Sequence, residues 1–196
     1  MLAADGPMAQ SLREILSRHQ SLGTRAFGFD VYPHPEHDPG VLRRAHLFLA
    51  PFRQQYDRAL VLFDRDGCGS LQPAPELAAA VQGNLDQSGW AGRSAVTVLD
   101  PELEVWLWAE SPHVASALGW SNWKALRRWL EENGHWRPDA LKPGDPKAAV
   151  QAALLERRQP MSTAIYRKIA RTVSLAKCLD PAFVGLLATL RGWFPA

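Results

Sequence analysis

Two rhythms of apolar and polar residues run along this chain, and one gives way to the other near residue 110. In the first part, short unbroken apolar runs alternate with stretches whose apolar residues fall three and four apart. These are the marks of strands and of helices with one buried face. Residues 2–4 read as a very short strand ending in Asp5. Pro7 then suits the first turn of a helix that carries Met8, Leu12, Ile15, Leu16 and His19 on one side and stops at Gly23. Residues 26–32 predict a second strand, and 33–40 a Pro-rich loop. Val41, Ala45, Phe48 and Phe52 mark the next helix, ended near Pro51. The run from Leu60 to Phe63 breaks off at Asp64-Arg65-Asp66-Gly67 and predicts a strand buried on both faces. Pro75 opens a helix with Leu77, Val81 and Leu85 inward and Gly89 as its stop, and residues 95–99 make a further strand. This alternation predicts an α/β fold with a mainly parallel sheet and helices on both faces.

After residue 110 no strand pattern follows. Ser121 can cap a helix bearing Trp123, Leu126, Trp129 and Leu130, closed near Gly134, and residues 135–146 form a connection rich in proline and glycine. Asp145-Pro146 starts a helix through Val150 and Leu154 that Pro160 ends. Ser162 or Thr163 starts another with Ile165, Ile169 and Val173 inward, and Asp180-Pro181 starts the last. The division expected is an α/β domain over residues 1–110 and a helical extension over 111–196 packed on the same core, with no internal repeat.

Composition narrows the setting more than the chemistry. A chain of 196 residues suits one domain with a real core. Cys68 and Cys178 stand far apart in no metal or redox spacing and read as free thiols of a reducing compartment. No apolar run approaches the ~20 residues of a membrane span, and the first residues show no leader pattern. A cytoplasmic protein with no membrane contact is expected. The net charge of +2 hides an uneven distribution: residues 57–110 hold nine acids against three bases, and 124–177 hold five acids against twelve bases. An acidic centre beside a basic flank suits a metal site that receives a polyanion. Solvated helix faces are the plainer explanation.

Acids end three of the expected strands: Asp5; Asp64 with Asp66; and Asp100, Glu102 and Glu104. In a parallel sheet all three clusters share the carboxyl edge, where ligand chemistry sits in open α/β folds. Carboxylates gathered there repel one another unless a cation neutralises them, and Mg²⁺ or Mn²⁺ prefers such oxygen ligands. Asp-x-Asp-Gly is also ordinary turn chemistry, and the acids can pair with Arg65 or Arg93. His34, His37 and Asp38 form a second cluster with transition-metal spacing, in a proline-rich loop where turns and local hydrogen bonds are the stronger explanation. If near the sheet edge, His34 or His37 can touch substrate. Arg157, Arg158, Arg167, Lys168 and Arg171 make a basic stripe able to meet a nucleic-acid backbone. Trp106, Trp108, Trp123 and Trp129 sit in core patterns, whereas Trp90, Trp120 and Trp136 lie near turns and are expected to be exposed, where aromatics stack on unpaired bases.

Asp5-Gly6 and Asp64-Arg65-Asp66-Gly67 over the first 110 residues resemble the Toprim signature of topoisomerases, primases and OLD-family nucleases: an acid-Gly after the first strand and Asp-x-Asp after the third. The family's first acid is usually glutamate, so Asp5 is a departure. Across the whole chain, Asp38-Pro39-Gly40, Asp64 to Gly69, Pro101-Glu102-Leu103-Glu104-Val105-Trp106 and the tail from Cys178-x-Asp180-Pro181-x-Phe183 to Trp193-Phe194 resemble Toprim-like proteins of bacterial phage-defence operons, notably the small Toprim-like component of methylation-associated systems. The resemblance implies metal-dependent phosphodiester cleavage. Asp64, Asp66 and Glu102 or Glu104 would hold one or two Mg²⁺, and Asp5 would hold the second or orient the water. Lys142, Lys147 or Lys168 would supply a cation to the transition state, Lys147 being favoured by its place at a helix start. A lysine in such a place is more often a plain surface charge. The competing expectations are an inactive interaction subunit that binds a defence-operon partner such as an ATPase or kinase, and a phosphotransfer receiver, against which the Pro-Glu-Leu-Glu segment and the helical extension argue.

Overall fold

The unbroken apolar run becomes the middle of the sheet. The structure, a computed structural model, describes residues 1–196 apart from the side chain of Lys177. Strand β3 (Ala59–Asp64) is buried from Ala59 through Phe63. It lies between β1 (Leu2–Ala3) and β4 (Ser94–Leu99), with β2 (Tyr32–Pro33) beyond β1. All pairings are parallel, so the chain is α/β with a four-stranded parallel sheet flanked by helices. The expected strand over 26–32 shrinks to Tyr32–Pro33. Its partner β1 offers only two residues to pair with, and Phe27 instead stacks on Phe194 at 4.0 Å.

Helices form where caps and apolar spacing agree. Asp5 accepts the Met8 N–H at 2.8 Å and so starts α1 (Gly6–Leu16), whose Met8, Leu12, Ile15 and Leu16 are buried. His19 does not continue that face; it opens a separate short turn, α2 (His19–Leu22), ended by Gly23 in the left-handed region. α3 (His37–Leu49) begins inside the expected loop, because Pro39 in a first turn costs no hydrogen bond. α4 (Ala74–Leu85) buries Leu77, Val81 and Leu85. Right-handed crossovers place α1 on one face of the sheet and α3 with α4 on the other.

The second half supplies α5 (Pro112–Ala117), α6 (Trp123–Glu132), α7 (Pro146–Glu156), α8 (Thr163–Thr172) and α9 (Pro181–Trp193). Six-residue α5 is too short to show a period and carried no expectation. Asn122, not Ser121, caps α6, while Asp145 and Asp180 cap α7 and α9. α8 packs along α1, and α9 packs against β4. The tryptophans tie these layers together. The Trp106 indole N–H donates to Asp180 at 2.9 Å, that of Trp108 to the Pro146 carbonyl at 2.9 Å, and that of Trp120 to the Ala153 carbonyl at 3.2 Å. Trp90, Trp120 and Trp136, expected outside, are all buried. Their turns fold back over helix ends, and Arg93, Arg157 and Arg127 lie on the three rings at 4.0–4.3 Å, shielding faces that would otherwise meet water.

Candidate functional site

Parallel pairing sends every β strand's carboxyl end to one edge, and acids gather there. Asp64 closes β3. Its carboxyl is mostly buried, and Oδ1 has no hydrogen-bond partner. Burial first, then the negative charges of Asp38, Glu104, Asp5 and Glu102, push its pKa from 3.8 to about 9. At neutral pH an unassisted Asp64 is therefore protonated.

The four neighbours arrive from three directions, and each accepts a hydrogen bond through one oxygen. Asp5 caps α1 through Oδ1. Asp38, in the first turn of α3, accepts the Asp64 backbone N–H at 2.7 Å, and burial raises its pKa as well. Glu102 follows β4, and its Oε1 accepts the Lys147 backbone N–H at 3.0 Å while Lys147 Nζ lies 3.6 Å from Oε2. Burial and then the charge of Glu104 raise its pKa. Glu104, in a 3-10 turn spanning Leu103–Trp106, is almost fully buried and accepts a short hydrogen bond from the Tyr166 hydroxyl on α8. Burial, then Glu104, holds the Tyr166 phenol well above its usual range. Burial works against the charge on Lys147, but Glu104, Glu102 and Asp64 outweigh it and raise its pKa. Lys147 is thus the cation of this cluster. An open cleft beside it is lined by Asp66, Glu102, Asp145 and Lys147.

Other residues singled out in the sequence lie elsewhere or face outward. Asp66 does not join Asp64 inside. Its side chain is 58% exposed and pairs with Arg65 at 3.1 Å, and Arg65 also holds Asp100 at 2.7 Å. β3 ends at Asp64 and the chain turns through Asp66 and Gly67, so Asp66 leaves the strand face that carries Asp64, a face that residues two apart share only while the strand continues. Lys142 donates to the Val105 carbonyl at 2.7 Å, and exposed Lys168 reaches the Ser116 carbonyl at 3.4 Å, so neither contacts the carboxylates. His34 is buried against Phe48, its Nδ1 accepting the Glu36 N–H at 3.0 Å; it is packed under α3 and not open to a ligand. His37 is exposed, at φ 51°. Arg157, Arg158, Arg167, Lys168 and Arg171 are all exposed, with Arg157 resting on Trp120.

The sequence pattern assigns Asp38 to a separate metal-spaced cluster with His34 and His37, whereas the fold places it beside Asp64, and it does not mark Tyr166 as a site residue. Tyr166 falls between Ile165 and Ile169 on the apolar side of α8, where a buried phenol must find a partner. That need was the one available signal.

The packing under Asp38 is tight at Gly40. A Cβ there would stand 2.3–2.4 Å from the His34 ring and 2.5 Å from Glu36 Cβ. Buried His34 has no room to retreat, so Gly40→Ala should cost about 2–3 kcal/mol. A urea titration would check this, with the fall in melting temperature near 5–10 °C.

Among the described residues, no three His, Cys, Asp or Glu side chains stand close enough to hold an ion as placed. The donor chemistry nevertheless fits a hard cation: every group is a carboxylate, and the Asp64 oxygen is buried with nothing bonded to it. No family model, curated protein or solved structure matches the chain.

Proposed function

We propose that this chain is a Mg²⁺- or Mn²⁺-dependent nuclease of the Toprim type, acting in bacterial anti-phage defence. The observation that supports it most is the unpartnered, buried oxygen of Asp64 among four other carboxylates at the carboxyl edge of a parallel sheet. Asp64, Glu104, Glu102, Asp5 and Asp38 would hold the cation, which when bound supplies a polarised phosphate and an acidified water. Asp66, tied to Arg65, drops out of the inner set and lines the cleft. The chain's own residues then do the positioning. Tyr166 and the Lys147 backbone fix Glu104 and Glu102. Lys147 Nζ faces the cleft from the start of α7 and can meet charge developing on a phosphate. The exposed stripe of Arg158, Arg167, Lys168 and Arg171 is placed to hold a nucleic-acid backbone without reading sequence. The defence setting rests on the resemblance of the Pro-Glu-Leu-Glu-x-Trp segment and the C-terminal tail.

A second reading has its own observation. Each neighbouring acid already has an internal donor, and no ready-made ligand set exists among the described residues. That suits an interaction subunit that has kept the frame and lost the hydrolysis.

Calorimetric titration of Mn²⁺ and Mg²⁺, with cleavage assays on single- and double-stranded DNA and on RNA, separates the two. On the nuclease reading, Glu102→Gln weakens cation binding and reduces cleavage about 10²–10³-fold, whereas Lys147→Met retains cation binding and loses turnover on a similar scale. Absence of both binding and cleavage in the wild type leaves the interaction subunit.

A further inference from the structure

The far edge of the sheet is open in a way that the acid cluster does not explain. β4 pairs with β3 on one side, and among the described residues no strand pairs with it on the other. The register from Ala59–Ser94 to Asp64–Leu99 is bracketed by hydrogen bonds from Ala59 N–H to the Arg93 carbonyl, at 2.9 Å, and from Arg65 N–H to the Leu99 carbonyl, at 2.8 Å. In a parallel ladder this turns the backbone of Ala95, Thr97 and Leu99 toward β3. It leaves the N–H and C=O groups of Ser94, Val96 and Val98 facing outward. Edges of this kind are usually blunted by charge or proline, yet Ser94–Leu99 contains neither. The edge is the floor of a groove walled by Pro75 and Ala78 of α4 and by Ala182 and Gly185 of α9. A Cβ built on Gly185 meets nothing within 4 Å, so space stands open above the wall.

Charge at the two ends selects the occupant. At the Ser94 end, Gln82 bridges Asp86 and Ser94, with both hydrogen bonds at 2.7 Å. At the other end stands Asp100, whose partner Arg65 is shared with Asp66. Arg93 is spent on the carbonyls of Tyr56, Arg53 and Gly89, and Arg191 on that of Leu22. A second copy pairing about a two-fold axis would run its β4 antiparallel and set Asp86 of one copy against Asp100 of the other, acid facing acid. An extended segment with a basic residue at each end meets both acids favourably. The spacing is that of a six-residue strand, about 20 Å.

We propose that β4 is a docking edge, where an extended, basic-flanked peptide segment of a partner protein adds as a fifth strand between α4 and α9. Main-chain hydrogen bonds to Val96 and Val98 give the affinity. The small wall residues admit β-branched side chains, and Asp86 with Asp100 sets the preference for flanking Lys or Arg.

The test uses the full chain and synthetic peptides. Lys-Val-Thr-Val-Thr-Val-Lys is compared with the same core flanked by glutamates, and with two forms N-methylated at alternate residues. Fluorescence anisotropy should show the lysine peptide binding at least tenfold tighter than the glutamate one, with one of the two methylated forms inactive. Hydrogen exchange should show the Val96 and Val98 amides protected on binding. Gly185→Leu grows into open space and favours the helix; it should keep the melting temperature and weaken binding at least tenfold. Equal affinity for both peptides without protection of those amides overturns the proposal. So does protection of the same amides through self-association of the chain alone.

Discussion

In metal-free buffer at pH 7, Asp64→Asn melts about 5–10 °C above the wild type, the result of roughly 2–4 kcal/mol of added stability. The wild-type carboxyl has a folded pKa of about 9 against an unperturbed 3.8. A folded pKa above the unfolded one means that its stabilising contribution is full below about pH 4. That contribution is lost as the pH rises through about 9, because the unfolded chain ionises freely and the folded one resists. Each unit crossed is worth about 1.36 kcal/mol, and pH 7 lies well inside the window. The groups facing Asp64 are Asp38 from α3, Glu104 and Glu102 beyond β4, and Asp5 before α1, opposed by Lys147 from α7. An asparagine removes the titration and brings two N–H donors into that ring of acceptors. The wild-type melting temperature should therefore fall more steeply between pH 5 and 9 than that of the variant, in which only the raised Asp38 and Glu102 still contribute a slope. If the proposed cation site is real, Mn²⁺ should raise the wild-type value, release a proton on binding and leave the variant unmoved. Parallel pH profiles for the two proteins would show that Asp64 is solvated and ordinary.

Tyr166→Phe acts in the opposite direction, lowering stability by about 2–3 kcal/mol. The phenol is the only hydrogen-bond donor to buried Glu104 among the described residues, and removing the hydroxyl leaves that group with nothing to replace water. The loss comes from the unpaired acid and not from lost volume, since phenylalanine keeps the ring. Glu104→Met combined with Tyr166→Phe should then recover most of the loss, because an apolar pair of similar shape has no desolvation penalty to meet. A double-mutant cycle by urea unfolding measures this as a coupling of about 1.5–3 kcal/mol. Simple additivity would show that the two groups stabilise the fold independently. The bond also joins α8, from the helical half, to the acid cluster, so on the nuclease reading proposed above cleavage should fall in the single variant while α1–α8 packing persists.

Elements whose causes are local could be read directly. The run at 60–63 had to be a doubly buried strand. Asp145 and Asp180 had to start helices, because capping is chemistry within three or four residues. Strand alternation then placed Asp5, Asp64 and Glu102 at one edge, since parallel strands share a carboxyl end. What stayed hidden depended on partners far along the chain. β2 is short because β1 is short, and its other residues turn to Phe194. Trp90, Trp120 and Trp136 are buried because the arginines and helix ends that cover them come from folded turns, which no period announces. Asp66 faces water and Asp38 faces Asp64 because side-chain direction at a strand end is settled by the elements that close around it. Tyr166 meets Glu104 across 62 residues of sequence. Two polar groups forced into one dry interior must find each other, and packing alone chooses the pair.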